Sequence, residues 1–358
     1  IKCMWRKILW VFTILFLLAV ILCIVSVYVS PASVKWMALC PFMLRYVLIG
    51  LAALMLVWLF VNFKVAIPIA VVSFVGFKFV SHEYSFRDKS LDDKADFRVM
   101  SYNVKCFGIL DKNSNILREK VLETISATDA DIVCLQEAYW ANKPADFPTL
   151  DVLSKNLKAK SVQKVRLNNF NYGTGGLAVV TRYKVINQYS HPFDSTANGF
   201  MYVDILMNED TVRLYNCHLQ SIMISNSDVD MSNGFNRENK DKAMNLYSKF
   251  SEASAHRAVQ VDTLVATLDT CPYPVLLCGD FNDVPLSYAC FQVLASGERL
   301  HDTFMERGEG SGRTFSVMGV DFRIDYIMHS NLFKCLRHKV LEFNIANDHY
   351  PVVAEFMW

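Results

Sequence analysis

Hydrophobic and polar positions divide this chain into two regimes. Through residue 80 the apolar runs are long: Ile8–Val29 is 22 residues without a charge, enough to cross a hydrocarbon core as a helix. A second run, Tyr46–Phe63, lies between Arg45 and Lys64, and a third, Val65–Phe77, is short and carries Pro68. That third run crosses with distortion or lies re-entrant, so residues 1–80 are expected to hold two or three transmembrane helices. Residues 81–96 are charged and without periodicity, the mark of a connector. From 97 to 358 the apolar runs are short and often alternate, as strands do.

Phe97–Asn103 (FRVMSYN) alternates and ends on Asn103, and Ala130–Leu135 is an apolar run leading into Gln136 and Glu137. Glycines and asparagines over Asn168–Gly176 predict a hairpin, with Leu177–Thr181 and Val185–Tyr189 around Arg182. A second hairpin, Phe200–Met207 with Thr211–Cys217, turns at Asn208–Asp210 and delivers Asn216 and His218. Val275–Cys278 is a buried strand stopped by Gly279, Phe322–Met328 places Asp325 in mid-strand, and Val352–Phe356 closes the chain. Helical spacing appears over Ile116–Ile125, Phe147–Leu157, Lys240–Leu268 and Tyr288–Leu294. Ser221–Glu238 reads as a long surface loop and Gly308–Gly312 as a flexible one. The sum is two packed sheets with helices outside.

The polar residues that punctuate these strands carry the chemistry. Asn103, Glu137, His218, Asp280, Asn282, Asp325, Asp348 and His349 nearly all stand at strand ends or just beyond. Each has a plain alternative. Asp280 and Asn282 can simply make a turn beside Gly279, a charge after a strand is often only solvated, and a lone histidine is commonly a hydrogen bonder. As a set they suit a hard divalent cation held by carboxylate and amide oxygens, with imidazoles left for proton transfer. A carboxylate within a strand needs a partner, and His349 is the candidate for Asp325.

Charge sharpens the division. Residues 1–80 hold seven basic residues and no acidic one, so the remainder carries 29 basic against 35 acidic, a net charge of −6. That balance counts against tight nucleic-acid binding without excluding a nuclease, because bound metal supplies local positive charge. Lys2, Arg6 and Lys7 favour a cytoplasmic N-terminus, which with three crossings puts the second part outside the cytoplasm of an inner or plasma membrane and with two leaves it inside. The cysteines of the second part are odd in number and show neither disulfide nor zinc spacing, which points the other way; the outside is the expectation.

Five motifs in order, LQE at 135–137, NCHL at 216–219, GDFN at 279–282, RIDYI at 323–327 and DHYPV at 348–352, resemble the endonuclease/exonuclease/phosphatase superfamily. SYN at 101–103 and GGLAVVTRY at 175–183 fit the same pattern, and His218 resembles the deoxyribonuclease and sphingomyelinase branch rather than the abasic-site endonucleases. The resemblance spans residues 97–358 and implies a four-layered α/β/β/α sandwich hydrolysing phosphoesters with Mg²⁺, or Mn²⁺ as a substitute. It implies Glu137, Asn103 and Asp348 at the metal and Asp325 orienting His349. Asp280 and Asn282 would position water and phosphate, and His218 would donate to a phosphoryl oxygen or the leaving group. Asp280 and His349 are alternative bases, and Arg182, Asn282 and His218 are the expected substrate-binding residues. Three readings follow: a membrane-anchored phosphoesterase acting on a lipid headgroup or small phosphoester, a nuclease acting on DNA or RNA, and a catalytically silent membrane interaction protein. The bilayer, through residues 1–80, is the expected partner, and no protein partner is inferred.

Overall fold

The computed structural model describes residues 2–85, 90–109, 114–143, 147–222, 237–297, 299–317, 319–342 and 347–358. They form two compact units, one made of 1–84 with 222–259 and 284–291, the other of 85–221, 260–283 and 292–358. Most of the expected loop Ser221–Glu238, at 223–236, lies outside the described residues.

In the first unit α1 (Lys2–Ser26), α2 (Cys40–Val61) and α3 (Phe63–Val80) follow one another, and all three are long and apolar enough to cross a membrane. The short third run is thus one helix of 18 residues that carries Pro68 within it, begun by the Asn62 side chain accepting the Lys64 N–H. Thr13 and Trp58 pair across these helices. The buried Trp58 indole N–H donates to Thr13 Oγ1 at 2.8 Å, tying α2 to α1, and Thr13 Oγ1 donates to the Leu9 carbonyl. In lipid such bonds hold helices together where no hydrophobic drive exists between them.

The second unit is built on two sheets. The first has the order β13-β14-β1-β2-β4-β3, from β1 (Phe97–Asn103), β2 (Ile132–Ala141), β3 (Ser161–Phe170), β4 (Gly173–Thr181), β13 (Lys334–Val340) and β14 (Val352–Met357). The second runs β5-β6-β7-β8-β12-β9, from β5 (Lys184–Pro192), β6 (Gly199–Met207), β7 (Asp210–His218), β8 (Val275–Asp280), β9 (His301–Asp302) and β12 (Asp325–His329). A small hairpin, β10 (Phe315–Val317) with β11 (Val320–Phe322), stands apart. Alternation sorts the core. Val99, Ile132, Cys134, Leu177 and Val179 face Val203, Leu214, Leu276, Cys278 and Ile327 between the sheets. Their neighbours Met100, Val133, Leu135, Ala178 and Val180 pack outward on Leu117, Val121 and Ile125 of α4 (Ser114–Ala127) and on Leu150 and Leu153 of α5 (Thr149–Asn156). On the far side Tyr215 donates to the Thr267 carbonyl of α6 (Arg237–Asp269), giving the α/β/β/α order.

Asn216 makes a buried polar link between the sheets. Asn216 on β7 donates from Nδ2 to the carbonyls of Leu135 and Ala178, at 3.0 Å each, and accepts the Gln136 side chain at 2.7 Å. Asn216→Leu removes three buried hydrogen bonds, and a loss of about 3 kcal/mol in thermal unfolding is expected.

His338 on β13 gives a second stability prediction. Thr303 spends its hydroxyl proton on the Ile327 carbonyl, so the Nδ1–H of His338 donates to Thr303 Oγ1 at 2.8 Å and the ring is neutral. Burial pushes its pKa down to about 4, helped by Arg323 and opposed by Asp302. A depressed value means that the unfolded chain takes up the proton first. Stability from this ring is therefore full above about pH 6.5 and lost as pH falls towards 4, by about 3 kcal/mol, and His338→Gln is expected to flatten that limb of a stability–pH curve.

Candidate active site

The alternation that builds the core also aims the site. Asp280 is in phase with Leu276 and Cys278, Asn103 with Val99, His218 with Leu214, and Asp325 with Ile327, so all four point between the sheets. They meet because β8 lies between β7 and β12, with His218 and Asp325 both opposite Asp280 in register. At one end, then, the intersheet core changes from hydrocarbon to carboxylates, amides and imidazoles.

Two local features differ from the expectation. Gly279 does not stop β8, which continues through it to Asp280; a Cβ there would meet Cys217 Sγ at 2.3 Å and the Cys217 carbonyl at 2.5 Å. Its role is the close approach of β7. Asp325 is not in mid-strand either: it opens β12, after β11 has ended at Phe322. Thr314 Oγ1 accepts the N–H groups of Ile324 and Asp325 and so fixes that strand start.

Glu137 reaches the site by a different route. Simple alternation would turn it away from Gln136 and out of the intersheet space. A bulge between Leu135 and Ala138, with Glu137 at φ 49°, breaks the phase and re-aims the carboxylate. Asn103 Nδ2 then donates to Glu137 Oε1 at 3.0 Å and to Asp280 Oδ2 at 2.9 Å, bracing the two carboxylates. Asn103 Oδ1 accepts the Lys105 N–H, so as placed the amide braces the carboxylates rather than offering an oxygen. Asn282, at φ 52°, returns its N–H to Asp280 Oδ1 at 2.8 Å and donates from Nδ2 to the Leu219 carbonyl.

His349 stands at the centre. Its Nδ1 is 3.1 Å from Asp325 Oδ2 and its Nε2 3.7 Å from Asp280 Oδ2. Burial alone would lower its pKa, but Asp325 and Asp280 outweigh that and raise it to about 10, so the ring is held as imidazolium. Asp325, fully enclosed, is pushed up by burial and by Asp280 against the pull of His349, to about 6. Asn347 fastens the segment, donating to Tyr102 Oη and the Asn103 carbonyl.

Two further buried atoms bear on whether a cation fits this site. His218 Nε2 is buried without a hydrogen-bond partner, 3.6 Å from Glu137 Oε1 and 3.8 Å from Asp280 Oδ2. Asp348 places Oδ2 on Lys105 Nζ at 2.9 Å, while its Oδ1 is buried and unpartnered. Four carboxylates, of Glu137, Asp280, Asp325 and Asp348, thus share the site with the Lys105 ammonium and the His349 imidazolium. A divalent cation fits that deficit of positive charge, with the oxygens of Asp280 and Asp325 close together beside it. Lys105 and the bulge at Glu137 are the parts that sequence reasoning missed; only the charge two residues beyond SYN hinted at the first.

Arg182 does not join them. Its guanidinium donates to Asp131 Oδ1, to Asp129 and to the Leu157 carbonyl. Because Thr181 pairs with Ile132, Arg182 lies at the start of β2, away from Glu137, and its expected part in substrate binding is corrected to a structural one.

Two six-stranded sheets whose shared core opens at one end into carboxylates, imidazoles and amides define an enzyme of the phosphoester-hydrolase class. The chain belongs to the endonuclease/exonuclease/phosphatase family, whose model matches residues 100–346. A second model, a domain of unknown function (DUF8431), matches residues 6–82. Among solved structures the human Nocturnin catalytic domain with bound sulfate is 19% identical, with 77% of this chain and 97% of that one covered and a TM-score of 0.54. A family protein from Leptotrichia buccalis is 18% identical over 73% and 100%, TM-score 0.53, and humanized D. rerio TDP2 15% over 73% and 99%, TM-score 0.51. These likenesses are of fold. No curated protein matches the chain.

Proposed function

We propose that this protein is a membrane-anchored, divalent-metal-dependent phosphoesterase that cleaves a phosphodiester or phosphomonoester by directed attack of water. The observation that carries the reading is the cluster itself, four carboxylates with two unsatisfied buried atoms, His218 Nε2 and Asp348 Oδ1, in an enzyme of this family. Glu137 and Asp348, with Asp280 close by, would hold the ion, and Mg²⁺ or Mn²⁺ suits their oxygens. When bound it supplies positive charge for the phosphoryl oxygens.

The chain's own groups do the rest. Asp280, with both oxygens already fixed by Asn282 and Asn103, is placed to orient a water and accept its proton. His349, kept protonated and turned by Asp325, donates towards the phosphoryl group, and Asp325 balances its charge as the third member of a catalytic triad does. His218 Nε2, having no other partner, is free to bond a phosphoryl or leaving-group oxygen. The three apolar helices would hold this chemistry at a bilayer, with the second unit on the outer side.

The full chain in detergent micelles, stripped with chelator and then given Mg²⁺ or Mn²⁺, tests the reading against phospholipid, small-phosphoester and nucleic-acid substrates. Metal-restored hydrolysis of lipid or small esters is the expected result. Cleavage of DNA or RNA alone would make the protein a membrane-held nuclease, and no metal-dependent turnover on any of them would overturn the proposal.

A further inference from the structure

His349 and Asp325 must keep one mutual geometry, yet they stand where a strand begins and where strands are missing. Asp325 is the first residue of β12, whereas Asp348, His349 and Tyr350 lie between the end of β13 at Val340 and the start of β14 at Val352, in neither sheet. Residues 314–316 stand between the two. Thr314 is fully buried, and its polar groups reach to both sides. Its Oγ1 accepts the N–H groups of Ile324 and Asp325 at 3.0 Å each, and its own N–H donates to the Phe322 carbonyl at 2.9 Å. Its carbonyl accepts the Tyr350 N–H at 2.7 Å.

The next two residues extend the grip on the histidine side. Ser316 N–H donates to the Asp348 carbonyl at 3.2 Å, and Phe315 faces His349 in an isolated antiparallel bridge. Residues opposite one another on antiparallel strands share a face, so the Phe315 ring lies against the imidazole, with centroids 4.8 Å apart and planes at 49°. The Thr314 hydroxyl is used to its limit. A hydroxyl has two lone pairs and one hydrogen; both lone pairs take backbone N–H groups, and the hydrogen is left for the Asp325 carboxylate, whose charged form it favours.

The geometry points to Thr314 as a positioning residue for the reaction, holding Asp325 by its hydroxyl and the His349 segment by its carbonyl. It thereby sets the contact between His349 Nδ1 and the Asp325 carboxylate, and Phe315 sets the plane of the ring. Asn347 ties the same segment to Tyr102 and Asn103, which fixes its place against β1. Thr314 ties it to Asp325, which fixes the spacing of the pair. The kinetic consequence rests on the proposed phosphoesterase reaction, whereas the bond between the two side chains is a property of the resting protein.

Thr314→Val keeps the shape of the side chain and removes the hydroxyl. In the full chain in detergent micelles it should lower kcat by about 10- to 100-fold with KM within a few-fold of wild type, because a misplaced ring spoils the transition state more than substrate binding. Thr314→Ser restores the hydroxyl and should recover most of the rate. A second readout needs no substrate. The Nδ1–H proton of His349, observed in protein carrying ¹⁵N-labelled histidine and assigned by its loss in His349→Gln, should move upfield in Thr314→Val and return in Thr314→Ser. An unchanged resonance and kcat in Thr314→Val would overturn the inference, as would a lower unfolding temperature with that resonance unmoved, the mark of a threonine that only supports the fold. If wild type cleaves no phosphoester, the proposed reaction fails and the resonance alone decides the positioning.

Discussion

His349→Ala is expected to lower turnover by about 10²- to 10⁴-fold, the range for removal of a positioned acid–base group. The ring touches both buried carboxylates, with Nδ1 on Asp325 and Nε2 towards Asp280. Removing a cation from between two buried carboxylates ordinarily costs several kcal/mol. Here Asp325 already has a raised pKa, because burial and Asp280 oppose its charge. Without the imidazolium it takes up a proton and becomes neutral, so the fold survives while the chemistry does not. His349→Gln, which keeps a polar group towards Asp325, should be equally inactive and unfold closer to wild type. Turnover within a few-fold of wild type in either variant would remove His349 from the mechanism. Asp325→Asn should act in the same direction through the ring it orients, changing kcat far more than KM.

Most of this site was legible because it follows strand period. Asp280, Asn103, His218 and Asp325 are each an even number of residues from a core hydrophobe on the same strand, so a reader who finds the strand also finds the direction of the side chain. Glu137 broke that rule: its place after an apolar run and the motif LQE picked it out, but the left-handed residue that re-aims it leaves no mark in the pattern of apolar residues. Arg182 shows the converse. It sits in a run that resembles the family's pattern, but its neighbours across the sheet, Asp129 and Asp131, are distant enough in sequence that pairing was invisible. The apolar helices were the easiest part, since length and absence of charge alone announce them; only the fate of Pro68 needed coordinates.

The largest opposition between stability and function is expected at Glu137. A non-glycine residue at φ 49° is strained by about 1 kcal/mol or more, and its carboxylate faces Asp280 in a site already crowded with negative charge. Both costs bring the side chain into reach of Asn103 and of whatever cation the cluster holds. Glu137→Gly relieves the backbone and removes one charge, so it should unfold at the same temperature as wild type or higher while losing turnover by at least about 10²-fold. Glu137→Gln, which keeps the bulge and the contact with Asn103 but not the charge, should need a higher concentration of Mg²⁺ for whatever activity remains. Thermal unfolding of the chelated proteins, measured beside metal titrations of activity, separates the two effects. A Glu137→Gly protein that unfolds well below wild type would show that the left-handed residue carries no strain, and unchanged Mg²⁺ dependence in Glu137→Gln would take Glu137 out of the metal site.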